Sequence, residues 1–242
     1  MTGPSAVRRL RVLTVNIHKG YTALRRRYVL DELRAAVREV ASDLVLLQEV
    51  QGSGSGLGSA QAEFLADRIW QDHAFAHNAV VGDVSQGNAL LSRWPILRHV
   101  NHDVSQPGAE ARGLLHCVLD LAGLQLHAIC VHLGLRESHR LCQLARIRDV
   151  VRDVPDGAPL VIGGDFNDWR LRADAALGGA GLSEVHRATY GRHARTFPAP
   201  FPLLCLDRIY VGRIRAFQPL LLPRRPWHAL SDHAPLAADI TL

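Results

Sequence analysis

The chain has 242 residues, 28 of them basic and 23 acidic, for a formal net charge of +5, with 48% apolar and 21% charged side chains. That balance excludes wholesale disorder, and the length is enough for one sizeable globular domain over residues 1–242. No run approaches the ~20 apolar residues of a membrane helix, so stable membrane insertion is not expected.

Residues 1–11 carry arginines and lack the apolar centre of a signal peptide, which points to a cytoplasmic protein, expected to be monomeric. From Arg11 to Val15 a short apolar run leads to Asn16. Tyr28 to Ala41 places Val29, Leu30, Leu33, Val37 and Val40 at helical spacing with arginines between them, the pattern of an amphipathic helix. The preceding Arg25-Arg26-Arg27 reads as a solvated run. Asp43 opens a second apolar run, Leu44 to Leu47, that leads through Gln48 to Glu49. A Gly/Ser-rich loop, Gln51 to Ser59, comes before a predicted helix from Ala60 to Trp70.

Strands are predicted at Asn88 to Ser92, Leu114 to Asp120 and Leu124 to Val131, the last two joined by a turn at Gly123. Leu135 to Val154 is the longest helical pattern, and Pro159 to Ile162 is a compact apolar run that stops at Gly163-Gly164-Asp165. Further strands are predicted at Leu206 to Val211 and Ala234 to Thr241. Strands alternate with helices early and follow one another later, which points to an α/β sandwich with mixed sheets. Cys117, Cys130, Cys142 and Cys205 form no CxxC pair, so neither a zinc knuckle nor a disulfide framework is expected.

Polar residues of catalytic type collect at the ends of these runs. Asn16, Glu49, His132 and Asp165 each follow an apolar run; Asp207 and the pair Asp232-His233 each precede one. If the last strands run antiparallel to the first, all of these positions can meet at one edge of the sheets. Carboxylates gathered there cannot all stay ionised without a cation or hydrogen bonds. An oxygen-rich set with an amide suits a hard divalent ion, Mg²⁺ or Mn²⁺, better than zinc. Histidines beside such an ion suggest phosphoryl chemistry. The predominance of arginine, with Lys19 the sole lysine, fits a phosphate-bearing partner, although genomic composition explains it equally well.

The order Thr-Val-Asn16-Ile-His, Leu-Leu-Gln-Glu49-Val, Gly-Asn88-Ala-Leu-Leu-Ser-Arg93, Val-His132-Leu-Gly, Gly-Gly-Asp165-Phe-Asn167-Asp, Leu-Asp207-Arg-Ile and Ser231-Asp232-His233-Ala-Pro resembles the endonuclease/exonuclease/phosphatase superfamily. The resemblance is closest to its bacterial YbhP-like group and runs from Val12 to Leu236. It implies a DNase I-like fold: a four-layer α/β sandwich with two packed mixed β-sheets flanked by helices and a site at one edge.

By resemblance, Glu49 with Asn16 is similar to the family's metal-binding pair, with Asp232 near the metal as a further carboxylate. Asp165 is similar to the group that orients and deprotonates the attacking water, and Asn167 to a phosphate donor. His233 resembles the histidine that stabilises the transition state, with Asp207 its orienting partner. His132 is the histidine found in nuclease and sphingomyelinase-like branches, where abasic-site endonucleases carry tyrosine; it serves as general acid or as a second phosphate donor. Asn88 and Arg112 are candidate substrate contacts, and His18 and Lys19 sit beside Asn16.

The implied activity is a Mg²⁺- or Mn²⁺-dependent phosphodiesterase of nuclease type. Hydrolysis of phospholipid headgroups or small phosphoesters is the alternative, and a non-catalytic phosphate-binding module a further one. Trp70, Trp94 and Trp227 are expected to pack, and Trp169 to shape the rim of the site.

Overall fold

The computed structural model describes residues 8–23, 27–52, 59–81 and 84–242; Arg25, Arg26 and most of the Gly/Ser-rich loop lie outside them. Along the chain run β1 (Arg9–Asn16), α1 (Leu30–Glu39), β2 (Leu44–Gln51), α2 (Ala60–Ala66), β3 (Asp72–Val81), β4 (Val84–Ser92), β5 (Ile96–Asp103), β6 (Gly113–Leu121) and β7 (Leu124–His132). There follow α3 (Glu137–Arg152), β8 (Leu160–Asp165), α4 (Arg172–Gly178), β9 (Ser183–Glu184), α5 (Val185–Tyr190), β10 (Asp207–Gly212), β11 (Ala216–Leu220) and β12 (Leu236–Thr241). One six-stranded sheet has the order β11-β12-β1-β2-β4-β3, the other β5-β6-β7-β8-β10-β9. Both are mixed, with parallel pairs β1/β2 and β7/β8 in otherwise antiparallel surroundings.

Alternation along the strands builds three apolar layers. Val12, Leu46, Leu90, Leu115, Cys117, Val161 and Ile209 fill the space between the sheets. On the outer face of the first sheet, Leu13, Val15, Leu47 and Leu91 pack against Leu33 and Val37 of α1 and Leu65 of α2. On the outer face of the second, Ile129, Val131 and Ile162 meet Leu144, Ile147 and Val151 of α3 and Leu177 of α4. The result is the expected four-layer sandwich.

The helix predicted from Ala60 to Trp70 ends at Ala66, because Asp67 leaves helical geometry and Arg68 takes a positive φ of 59°. The chain turns there, and Trp70 is buried with its indole donating to the Ser42 carbonyl at 3.1 Å. Gly163 and Gly164, where the predicted apolar run stops, lie inside β8; Gly163 lets the two sheets close up and Gly164 lets the β7 backbone come close. A Cβ at Gly163 would stand 2.6 Å from Leu46 on the facing sheet, and one at Gly164, with φ of +148°, would meet the Val131 carbonyl oxygen at 2.0 Å.

Candidate active site

The strand registers bring the polar residues together. In the second sheet His132 is the register partner of Asp165 across the parallel β7/β8 pair, and Asp165 that of Asp207 across the antiparallel β8/β10 pair. Three adjacent strands therefore present histidine, aspartate and aspartate in one row. In the first sheet Asn16 closes β1, and β12 runs antiparallel to it, so the segment entering β12 delivers Asp232 and His233 to the same edge.

Glu49 owes its position to an irregularity. The β2/β4 register shifts between Leu47 and Val50, and Glu49 sits in that bulge with a positive φ of 54°. A bulge re-aims a side chain that would otherwise follow the strand alternation. Asn167 also takes a positive φ, 49°, just beyond β8. Unusual backbone at both positions is the kind of strain that surrounding structure must hold in place.

Asp165 is the hub. Its Oδ1 accepts from the Asn167 backbone N–H at 2.8 Å. Its Oδ2 accepts from Asn16 Nδ2 at 3.3 Å and lies 3.5 Å from His132 Nε2 and 3.7 Å from His233 Nε2. The same Asn16 amide donates to Glu49 Oε1 at 3.1 Å, and Lys19 Nζ stands 3.5 Å from Glu49 Oε2. His233 Nδ1 donates to Asp207 Oδ2 at 2.8 Å, and the Phe197 ring packs 4.9 Å from the imidazole. Ser231 Oγ donates to the Asn16 carbonyl at 2.7 Å, tying the His233 segment to β1.

Charge follows from burial and neighbours. Burial pushes the Asp165 carboxyl up to about 7 against the pull of cationic His233, and Asp207 adds to the rise. For His233, burial works against the charged form, but Asp207 and Asp165 outweigh it and raise the imidazole to about 10. His132 goes the other way: burial, then the positive charges of Arg112, His233 and Lys19, hold it well below its ordinary value. The two histidines flanking Asp165 thus differ in charge at neutral pH.

Among the described residues, ligand-type atoms of Asp165, Asp207 and His233 lie within 4.8 Å of one another, a spacing that suits a metal ion only when the His233 ring is neutral. Glu49 and Asp232 are outside that group. Asp232 is half-buried, and its Oδ1 lies 3.2 Å from Ser231 Oγ. Arg112 pairs with Glu110 at 3.0 Å and shares a narrow cleft with Glu49 and His132. Asn88 is fully buried between the sheets, where its amide donates to the Gly113 and Cys130 carbonyls at 2.9 and 3.3 Å. Asn167 Nδ2 donates to the Leu133 carbonyl at 2.9 Å. His18 is hydrogen-bonded through Nδ1 to the Tyr21 carbonyl at 3.0 Å.

Behind this row lies a network with little signal in the sequence. Arg208, fully buried on β10, pairs with Asp168 at 3.1 Å and contacts the Tyr210 hydroxyl, which donates to Asp174 Oδ1 at 2.6 Å. Asp168 Oδ2 also accepts from the Ala173 N–H at 2.8 Å at the start of α4. Asp168 closes the Gly-Asp-Phe-Asn-Asp motif, but its partner is 40 positions away and only the β8/β10 pairing brings them together.

Comparison with known proteins assigns the fold and the family. A sequence profile of the Endonuclease/Exonuclease/phosphatase family matches residues 13–233. The chain is 51% identical over 243 residues to the protein YbhP of Escherichia coli K12, covering 96% of each. A solved endonuclease/exonuclease/phosphatase from Beutenbergia cavernae superposes with a TM-score of 0.77 at 22% identity, over 97% of this chain and 72% of that one. ANGEL2, described as a 2',3'-cyclic phosphatase, superposes with a TM-score of 0.71 at 16% identity, over 97% of this chain and 95% of its own. The chain belongs to the endonuclease/exonuclease/phosphatase family.

Proposed function

We propose that the protein is a divalent-metal-dependent phosphodiesterase that hydrolyses its substrate by in-line attack of an Asp165-activated water. The observation that carries this reading is the oxygen Asp165 Oδ2, which has Asn16, His132 and His233 within 3.3–3.7 Å while its partner Oδ1 is fixed by Asn167. A carboxylate raised towards neutrality and held on one side is suited to orient water and take its proton.

His233, charged and fixed by Asp207, donates from Nε2 to the phosphoryl oxygens as negative charge builds. His132, neutral, offers a hydrogen bond to the same group or to the leaving oxygen. Arg112 and Asn167 are the further phosphate contacts, and Asn88 supports them from between the sheets. The water oxygen bonds to phosphorus, one P–O ester bond breaks on the opposite side, and the leaving alkoxide receives a proton. This is catalysis chiefly by preorganised charge.

The donor set fits a hard cation. Glu49 and Asp232 offer carboxylate oxygens, and Glu49 already turns its carboxylate towards the ammonium of Lys19 at 3.5 Å. Glu49 with Asn16, and Asp232 from the β12 side, are the residues that would hold Mg²⁺ or Mn²⁺. When bound, such an ion supplies charge neutralisation for the phosphate. Nucleic-acid and lipid diesters share this chemistry, so a nuclease-type and a lipid-type diesterase would use the same residues.

The test is hydrolysis of bis-p-nitrophenyl phosphate and of p-nitrophenyl phosphate in Mg²⁺, in Mn²⁺ and in EDTA. Metal-dependent cleavage of the diester is expected. Cleavage of the monoester alone would make the protein a phosphatase, and cleavage of neither would favour the non-catalytic module.

A further inference from the structure

Six large apolar side chains stand exposed on the three loops that leave or enter the catalytic row. Leu135, 66% exposed, follows His132; Trp169 and Leu171 follow Asp165 and Asn167; Phe201 at 73%, Leu203 at 67% and Leu204 precede Asp207. Single exposed apolar residues are ordinary, whereas a concentration around one site marks a binding surface. Specific contacts tie the first two of these loops to each other and the third to the site. Arg140 donates to the Gly134 carbonyl at 3.2 Å and lays its guanidinium 4.4 Å over the Trp169 ring, joining the first two loops. In the third loop Phe197 packs on His233, and the Ala199 N–H donates to the Asp232 carbonyl at 2.7 Å.

Positive charge accompanies the apolar rim. Arg136 adjoins Leu135, and Arg224 donates to the Pro200 carbonyl and lies 5.3 Å over the Phe201 ring, with Arg225 beside it; all three are exposed. Beside the rim a cavity of about 350 Å³ runs between Thr22, Ala23 and Arg27 on one side and Pro200, Ala229 and Ser231 on the other. Its Ser231 is the residue tied to Asn16 in the site itself.

The geometry points to a membrane-contact surface, with an anionic glycerophospholipid as the phosphodiester that enters the site. This inference rests on the diesterase reading for its chemistry, and on the rim for its substrate class. Single-stranded nucleic acid is bound by aromatic platforms in a basic groove, but four of these six side chains are leucines, which offer no face for a base. A lipid–water interface accepts leucine, phenylalanine and tryptophan side chains with arginines beside them, and its anionic headgroups complement those arginines. Hydrolysis then splits one P–O ester bond of the lipid diester by water, giving a phosphomonoester and an alcohol, with no further reactant.

The experiment is co-sedimentation of the full chain, in Mg²⁺, with vesicles of phosphatidylcholine alone and of phosphatidylcholine mixed with phosphatidylglycerol. The wild type is expected to sediment with the mixed vesicles. Phe201→Ser/Leu203→Ser, and independently Leu135→Ser on a different loop, are expected to lower the bound fraction, the double variant by about tenfold or more. Each variant's melting temperature is read alongside, to separate loss of the surface from loss of the fold. Wild type left in the supernatant, or well-folded variants that bind vesicles as the wild type does, would overturn the inference. So would wild-type binding of a single-stranded oligonucleotide that competes vesicles away and weakens in the same variants. Bis-p-nitrophenyl phosphate hydrolysis by the wild type tells the two failures apart: a protein that cleaves it but ignores vesicles loses only the membrane surface, and one that binds vesicles without cleaving it loses only the diesterase.

Discussion

Asp165 and Asp207 are direct register partners across the antiparallel β8/β10 pair, two buried carboxylates side by side at the edge of one sheet. What makes this arrangement tolerable is His233, which reaches in from the entry to β12 with Nδ1 2.8 Å from Asp207 Oδ2 and Nε2 3.7 Å from Asp165 Oδ2. The histidine is the cation that the pair requires, and the pair is the reason the histidine stays charged.

Asp207→Asn is therefore expected to move the alkaline limb of the pH–rate profile to lower pH. Burial by itself favours neutral His233, and the two carboxylates raise it to about 10; with one carboxylate removed, burial regains ground. The folded value lies above the unfolded one, so this group's stabilisation is complete below the unfolded pKa and is lost as pH rises through about 10. A profile of kcat/KM against pH for both proteins checks the shift, and an unchanged alkaline limb would remove His233 from its role.

Asp165→Asn is expected to raise thermal stability in EDTA at neutral pH while removing activity. Burial disfavours the ionised Asp165 carboxylate in the folded state, so folding loses stability as pH climbs from the ordinary aspartate value towards about 7. Asparagine keeps the shape without the charge. The melting temperature of the metal-free variant against wild type reads this directly.

Mg²⁺ is expected to raise the melting temperature of the wild type, and Glu49→Gln is expected to abolish that rise. Ligand binding to the folded state stabilises it in proportion to occupancy, about 2.7 kcal/mol at a hundred times the dissociation constant. A Mg²⁺-dependent shift that persists in Glu49→Gln would place the ion elsewhere, for instance against the Asp165–Asp207–His233 group.

Arg208→Met is expected to destabilise the fold by about 3–5 kcal/mol, since it leaves Asp168 buried without its partner. Chemical denaturation measures the loss. The same change also frees the Tyr210 hydroxyl from its arginine, so the damage extends along the Asp168–Tyr210–Asp174 network.

On the outer face of β5–β7, His116 and His127 are hydrogen-bonded at 2.9 Å, with the His102 ring stacked 5.8 Å from His116. Burial, then the charges of its histidine neighbours, lowers His116 to about 4. The unfolded chain thus takes up a proton near pH 6.5 that the folded one refuses, and stability falls as pH drops from there towards 4, by on the order of 3 kcal/mol. His116→Leu is expected to flatten that acid limb in a pH series of melting temperatures.

How much of this was legible in the sequence differs by residue. Asn16, His132, Asp165, Asp207 and His233 were readable because each lies where an apolar run starts or stops, and strand ends of opposed direction meet at one edge. Glu49 was readable as a residue type, but the bulge that aims it was not, since Leu-Gln-Glu-Val carries no turn residue. β5 carries no strand signal because its residues are mostly exposed, so Leu97 to Asn101 show no alternation of apolar and polar. β3, rich in alanine and histidine, lacks the β-branched pattern of a strand until Val80. Asn88 reads as a substrate contact in its motif, and the packing of two sheets, invisible in one strand, gives it two carbonyl partners instead. The Arg208–Asp168 pair depends on β8 and β10 being neighbours, which no local pattern reports.

The most direct test of the central claim is the turnover of bis-p-nitrophenyl phosphate by wild type and Asp165→Asn, side by side in Mg²⁺ and in EDTA. Cleavage by the wild type is expected in Mg²⁺ only, with a loss of about 10²–10³ or more in kcat for the variant while its fold stays intact. Comparable turnover by Asp165→Asn, or cleavage by the wild type that EDTA leaves untouched, would contradict that claim.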